Sequence, residues 1–264
     1  MENALYLRNK LAKGEKALGF WLTFPSTGLA RTILATGGLS WTLLDAEHGQ
    51  ITDKDYFDLC NAVVASKASP IIRIPFDVEW MIKRALDAGA HGVMTPLCHT
   101  ADDARRIVKY SKYPPTGTRG FGPMFSPHSF GLTTEGAYAA GADKGLLVIV
   151  QIESVPGVEN VEEIAKVDGV DVIFIGPFDL SKFLGCEFGG EVHEAAIAKI
   201  LKAAKAAGKT AAIFCTSGEM ARKRLDQGFD MVSITTDIGA VQNGFSKEFA
   251  ITTATQAGPA RSGY

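Results

Sequence analysis

Short apolar runs rich in β-branched residues recur along the chain, each followed by an amphipathic stretch of helical period. The runs are Ala17–Phe24, Trp41–Asp45, Pro70–Ile74, Gly92–Thr95, Leu146–Ile152, Val172–Ile175, Thr210–Phe214 and Met231–Ile234. Most are continuous hydrophobic segments rather than alternating ones, as strands covered on both faces require. Asp53 predicts the start of a helix running to Ser66, and Asp77 the start of another that ends at Asp87-Ala-Gly. Thr100-Ala-Asp-Asp has capping-box spacing, with Asp103 in place of Glu or Gln. Gly89, Gly208 and Gly228 stand where a helix closes on a left-handed residue. Eight evenly spaced units predict an α/β fold closed into a (β/α)₈ TIM barrel over residues 1–256. An open doubly wound sheet shares the alternation and is the competing architecture. The small, polar residues 257–264 are expected to form a disordered tail.

Composition narrows the function more than the fold. Of 264 residues, 27 are Lys or Arg and 29 are Asp or Glu, a formal net charge of −2 with no basic patch, which argues against nucleic-acid binding. Cys60, Cys98, Cys186 and Cys215 are far apart, so neither a zinc site nor a disulfide framework is expected. The first residues lack a basic segment followed by an apolar one, and no window reaches the length of a membrane span; the expectation is a cytoplasmic protein.

In a barrel, chemistry gathers where the strands end. Strand two ends in Asp45-Ala-Glu47-His48-Gly, strand three in Arg73-Ile-Pro, strand five in Gln151-Ile-Glu153-Ser and strand six in Gly-Pro-Phe178-Asp179. Each polar residue has an ordinary explanation: an acid after a strand is often a helix cap, and a lone histidine a structural hydrogen-bonder. An arginine emerging from an apolar strand needs an anionic partner. Their joint occurrence on neighbouring strands, with an Asp and a Glu and no thiol beside them, describes an oxygen-rich site suited to Mg²⁺ or Mn²⁺. Nucleotide-binding and serine-hydrolase signatures are absent, and no lysine ends a strand where a Schiff-base aldolase needs one.

The phrases Gly19-Phe-Trp-Leu, Leu43-Leu-Asp-Ala-Glu-His-Gly, Ile71-Ile-Arg-Ile-Pro, Tyr113-Pro-Pro-Thr-Gly-Thr-Arg-Gly, Gln151-Ile-Glu-Ser and Phe174-Ile-Gly-Pro-Phe-Asp-Leu-Ser resemble the HpcH/HpaI aldolases, the class II pyruvate aldolases. The resemblance runs from about Leu7 to Phe249. It implies a barrel whose eighth helix is swapped between subunits of a homohexamer, a dimer of trimers. It also implies that Glu153 and Asp179 hold a divalent metal (Mg²⁺, Mn²⁺ or Co²⁺) and that Gln151 and the Phe178 backbone N–H bind the 2-oxo acid. By the same resemblance, Arg73 stabilises the enolate and His48 acts as base through water, oriented by Asp87 of a neighbouring subunit. Asp45 and Glu47 support Arg73 and the metal's waters. Trp21 and the 113–133 loop, Ser126 included, shape the aldehyde end.

The implied activity is reversible cleavage of a 4-hydroxy-2-oxo acid to pyruvate and an aldehyde through a metal-stabilised enolate. Two alternatives stand beside it. The same enolate chemistry serves oxaloacetate decarboxylation or a macrophomate-synthase-like reaction, and a non-catalytic barrel that only binds 2-oxo acids is the reading from another class. Phe121, Met124 and Phe125, placed at the aldehyde end, argue against a second charged group on the substrate.

Overall fold

The computed structural model describes residues 1–256 and Gly258; the expected tail at 257–264 otherwise lies outside the described residues. The strands are β1 (Ala17–Leu22), β2 (Trp41–Asp45), β3 (Ser69–Arg73), β4 (Gly92–Thr95), β5 (Leu147–Ile152), β6 (Val172–Ile175), β7 (Thr210–Ile213) and β8 (Met231–Thr236). The helices are α1 (Tyr6–Ala12), α2 (Thr27–Leu34), α3 (Tyr56–Ala65), α4 (Glu79–Asp87), α5 (Ala101–Ser111) and α6 (Glu135–Gly145). They continue as α7 (Val155–Glu159), α8 (Val161–Ala165), α9 (Pro177–Phe183), α10 (Glu191–Ala206), α11 (Gly218–Asp226) and α12 (Asp237–Thr252). Every strand pairs in parallel with its sequence neighbour, and β8 returns to β1, which closes the barrel and removes the open-sheet alternative.

Side chains alternate between two cores, as the two-residue period of a strand demands. Trp21, Leu43, Ile71, Met94, Ile149, Phe174 and Phe214 fill the barrel. Leu22, Leu44, Ile72, Val93, Val150 and Ile173 face the surrounding helices. Gly19 sits on the inward set because a Cβ there would come within 2.3 Å of the Trp41 ring. Extending the inward positions two residues towards the strand ends gives Asp45, Arg73, Gln151 and Gly176, and two more beyond Gln151 give Glu153. The same periodicity that packs the core therefore aims the rim residues at the barrel axis.

The end where the strands begin is stoppered by α1, an element the strand–helix beat did not announce. Leu7 enters the inner core, and its N–H donates to Ser69 Oγ at 3.0 Å. Ser69 Oγ in turn lies 3.0 Å from Nδ1 of buried His91, whose Nε2 lies 3.3 Å from the Ser129 carbonyl. This network fits the Nε2–H tautomer, with the serine hydroxyl donating to Nδ1. Burial holds the His91 pKa down to about 4, against the pull of the Ser129 carbonyl.

Two helix starts differ from expectation. Helix α3 begins at Tyr56 with Asp55, not Asp53, at the N-cap position; the Asp55 carboxylate accepts from the Thr52 N–H and hydroxyl and caps no N–H of the helix. Asp53 pairs with Arg84 instead. Helix α4 begins at Glu79 because Asp77 turns to Arg106. The Thr100–Asp103 capping box forms in full, and Gly89, Gly208 and Gly228 all have positive φ. Helix α12 leaves Val241, Phe245, Phe249 and Ile251 exposed. Among the described residues no helix is long and apolar enough to cross a membrane.

Candidate active site

Asp45 and Arg73 form the centre of the rim. Arg73 Nε donates to Asp45 Oδ1 at 3.0 Å and Nη2 to Oδ2 at 2.8 Å, a two-pronged charge-assisted pair. Glu47 lies 2.9 Å from Arg73 Nη1, and the guanidinium carbon stands 4.4 Å from the Trp21 ring centroid. Both Asp45 and Arg73 are buried, with 0% and 1% of their side chains exposed. Asp45 also accepts the N–H groups of Glu47 and His48 at 3.1 and 3.3 Å. One carboxylate thus aims the arginine and folds the turn that carries His48. The imidazole is half exposed, with Nε2 3.8 Å from Glu47 Oε1. Burial holds the Glu47 carboxyl above its usual range; Arg73 and His48 oppose the rise, and Asp45 and Asp179 add to it.

Glu153 projects from the end of β5 into a setting short of positive charge. Its Oε1 accepts the Leu97 N–H at 2.9 Å, while Oε2 is buried and has no hydrogen-bond partner. The side-chain oxygen of Gln151 is in the same condition. Burial pushes the Glu153 carboxyl up to about 8; the Leu97 N–H and Arg73 oppose this, and Asp179 and Glu47 reinforce it. A buried carboxylate oxygen without a donor costs several kcal/mol unless a cation or proton meets it. Among the described residues no three His, Cys, Asp or Glu side chains gather into a metal cage. The two carboxylates Glu153 and Asp179 fit a hard divalent ion that keeps several positions for water and substrate oxygens. Gly176 makes this possible: a Cβ there would fall 2.0 Å from Glu153 Oε2 and 2.5 Å from Gln151 Nε2.

A cavity of about 480 Å³ opens over the rim, lined by Thr23, Phe24, Asp45, His48, Gly49, Gln50, Phe178, Asp179, Lys182 and Ile238. A smaller recess deeper in the barrel joins Trp21, Gln151 and Phe214 to Phe178 and Asp179. Phe178 stands in the first turn of α9, and its ring stacks on Phe188 at 4.6 Å. Trp21 packs edge-on against Phe214 at 4.5 Å. Asp45, His48, Arg73, Gln151, Glu153, Phe178, Asp179 and Trp21 are thus collected at one end of the barrel.

Asp87 and Ser126 are not among them within one chain. Asp87 ends α4, at the opposite end of the barrel, where it accepts from Arg119 Nη2 at 2.6 Å. Burial raises the Asp87 carboxyl above its usual range, against the pull of Arg119. Ser126 is buried beside it, with Oγ 3.0 Å from the Asp87 carbonyl. The loop expected at the aldehyde end follows α5, so it lies where strands begin and not over its own chain's rim. Phe121, Met124 and Phe125 are exposed there, and Phe125 meets Phe57 edge-on. Within one chain, therefore, this loop and its Phe121, Met124 and Phe125 do not line the cavity over the rim.

Three contributors escaped the sequence. Leu97 presents its N–H to Glu153 from a left-handed backbone conformation, φ 51°, which nothing in a leucine announces. Asp237 follows β8 and fastens the cavity wall, accepting the N–H groups of Thr23 and Phe24 at 2.9 and 3.0 Å and the Thr23 hydroxyl at 2.8 Å. Lys182 lies three residues beyond Asp179, a helical spacing that places both on one side of α9.

A closed parallel barrel with its open acids, its held arginine and its cavity all at the strand ends defines an enzyme of the barrel class. The chain belongs to the HpcH/HpaI aldolase/citrate lyase family, whose sequence profile matches residues 18–244. It is 36% identical over 239 residues to the hydroxypyruvate/pyruvate aldolase of Roseobacter denitrificans, covering 89% of this chain and 92% of that one. It is 33% identical to a 2-keto-3-deoxy-L-rhamnonate aldolase of Escherichia coli, covering 96% and 94%. The crystal structure of a family member from Burkholderia cenocepacia superposes with a TM-score of 0.86 at 32% identity, covering 94% and 98%.

Proposed function

We propose that this chain is a carbon–carbon lyase, a class II aldolase that reversibly cleaves a 4-hydroxy-2-oxo acid to pyruvate and an aldehyde. The observation that carries the reading is the buried, partnerless Oε2 of Glu153, set near Asp179 on a rim that also holds the clamped Arg73. The aldolase names of the relatives support the substrate class.

Glu153 and Asp179 hold a divalent cation, Mg²⁺, Mn²⁺ or Co²⁺. When bound, it offsets negative charge growing on the keto oxygen of the 2-oxo acid. Gln151 and the backbone N–H of Phe178 bind and orient that acid at the mouth of the recess. Arg73 supplies a second, preorganised positive charge; Asp45, Glu47 and Trp21 fix it so that little reorganisation is needed as charge develops. His48 takes the proton of the C4 hydroxyl, through water, during cleavage and returns it during addition. Trp21, Phe178 and Phe214 keep bulk water from the carbon that becomes nucleophilic.

A second copy completes the site. Asp87 and the 113–133 loop lie at the far end of their own chain, so they reach a His48 only from a neighbour, as in a homohexamer with exchanged last helices. The exposed Phe245 and Phe249 of α12 support such an exchange. The test is chelation: EDTA-treated protein is expected to lose retro-aldol activity and regain it with Mg²⁺, Mn²⁺ or Co²⁺. Full activity after rigorous metal removal would overturn the proposal, and faster turnover of oxaloacetate than of any hydroxy-oxo acid would reassign it to decarboxylation.

A further inference from the structure

The cavity over the rim is larger than a three-carbon acid fills, since about 480 Å³ lies in the range that holds ligands of some size. Asp45, His48 and Asp179 line it, and they are the groups given to the chemistry. The rest of the lining is what remains for the aldehyde. The charged side chains that line it are few and unequal in their commitments. Asp45 is spent on Arg73 in a two-pronged pair. Asp179 is the carboxylate proposed for the cation. Lys182, one turn further along α9, makes no ion pair with any carboxylate among the described residues. Gln50 lines the same cavity, its backbone fixed by a 2.8 Å hydrogen bond from its N–H to the Thr23 carbonyl, and its exposed carboxamide adds an uncharged donor.

Surface lysines usually serve solubility, but Lys182 lines the cavity over the rim, one turn from Asp179, and among the described residues is held in no salt bridge. An ammonium one turn from Asp179 offsets part of the repulsion that Asp179 and Glu153, which Arg73 does not pair, exert on an incoming anion. It also supplies a charge-assisted hydrogen bond at the end of the cavity remote from the forming bond.

We propose that Lys182 sets the acceptor class of this enzyme: the aldehyde joined to pyruvate carries an anionic terminus, a carboxylate or a phosphate, which the Lys182 ammonium binds with help from Gln50. The proposal rests on the pyruvate aldolase reading and names the half of the substrate that reading leaves unspecified. The chemistry is unchanged by it. A C–H bond at pyruvate C3 breaks, a C–C bond forms to the aldehyde carbon, and the aldehyde oxygen ends with a proton, so no oxidant or other co-reactant is required.

The experiment compares matched aldehydes with the metal-loaded enzyme: succinic semialdehyde against butanal for a carboxylate, and glyceraldehyde 3-phosphate against glyceraldehyde for a phosphate. The readout is the anionic-to-neutral ratio of kcat/KM for wild type, Lys182→Gln and Lys182→Arg. Wild type is expected to favour at least one anionic partner. Lys182→Gln should lower that ratio roughly 10-fold or more, chiefly through KM, and Lys182→Arg should retain most of it. Which pair responds tells carboxylate from phosphate. An equal ratio in wild type and Lys182→Gln for both pairs overturns the proposal. Deuterium exchange at pyruvate C3, measured on the wild type without aldehyde, tests the enolate reading separately: exchange with an unmoved ratio sinks only the Lys182 assignment, and absence of exchange sinks both.

Discussion

Replacing Asp45 by Asn removes the anion from a buried pair while keeping an oxygen for the Glu47 and His48 N–H groups. The guanidinium of Arg73 then loses two charge-assisted hydrogen bonds, each worth about 1.5–3 kcal/mol. Glu47 at 2.9 Å and the Trp21 ring at 4.4 Å remain and limit the damage. The net cost should sit near the low end of what breaking a buried pair costs, about 3 kcal/mol. For a chain of this size that lowers Tm by roughly 6–12 °C. Arg73→Met should cost a similar amount, because it leaves Asp45 buried without its cation. The informative measurement is the double mutant, in which neither charge is stranded across the pair. Its loss should be about 3 kcal/mol rather than the sum of the singles, a coupling seen in urea unfolding of all four proteins. Additive losses, within about 0.5 kcal/mol, would show that the two side chains act independently and that the clamp on Arg73 is not an energetic unit.

Acid should weaken the fold through His91 as well. Its folded pKa of about 4 lies below the ordinary 6.5, so the unfolded chain binds the extra proton between those values and stability falls as pH drops through that window. The loss attributable to it is about 2 kcal/mol between pH 7 and pH 5, growing to about 3 kcal/mol at lower pH. A His91→Asn variant should show a flatter urea-stability profile over this range, and an identical slope would count against the assignment. Gly176→Ala should displace the Glu153 carboxylate and cut kcat roughly 100-fold, at a stability cost of about 1–3 kcal/mol; wild-type kcat in this variant would mean that the carboxylate position is not critical.

Much of this was legible because strands buried on both faces must be apolar throughout, so the polar residue that ends each run stands out. Asp45, Arg73, Gln151 and Glu153 continue the inward set of Leu43, Ile71 and Ile149, and their convergence follows from a two-residue period alone. That the 113–133 loop stays away from its own chain's rim also follows from its position: it comes after a helix rather than a strand, and in a βα barrel such connections return to the end where strands begin. Asp53 and Asp77 looked like caps, but their carboxylates pair with Arg84 and Arg106, and the residues at the two N-cap positions, Asp55 and Val78, make no side-chain cap bond. Leu97 could not have been found, because its left-handed backbone reflects the carboxylate it serves and not its own side chain. Lys182 was visible in the sequence but anonymous, since helical spacing gives a neighbour to Asp179 without saying that a cavity lies beside both.

Asp237 ties two parts of the molecule into one mechanical piece. It opens the last helix and at the same time grips the backbone at Thr23 and Phe24, which form a side of the substrate cavity. On the proposed exchange of α12 between copies, that helix begins at the edge of the cavity, and the shape of the mouth would be set jointly by the chain that lines it and by the copy that seats Phe245 and Phe249. Assembly and substrate fit would then be, through that one carboxylate, parts of the same adjustment.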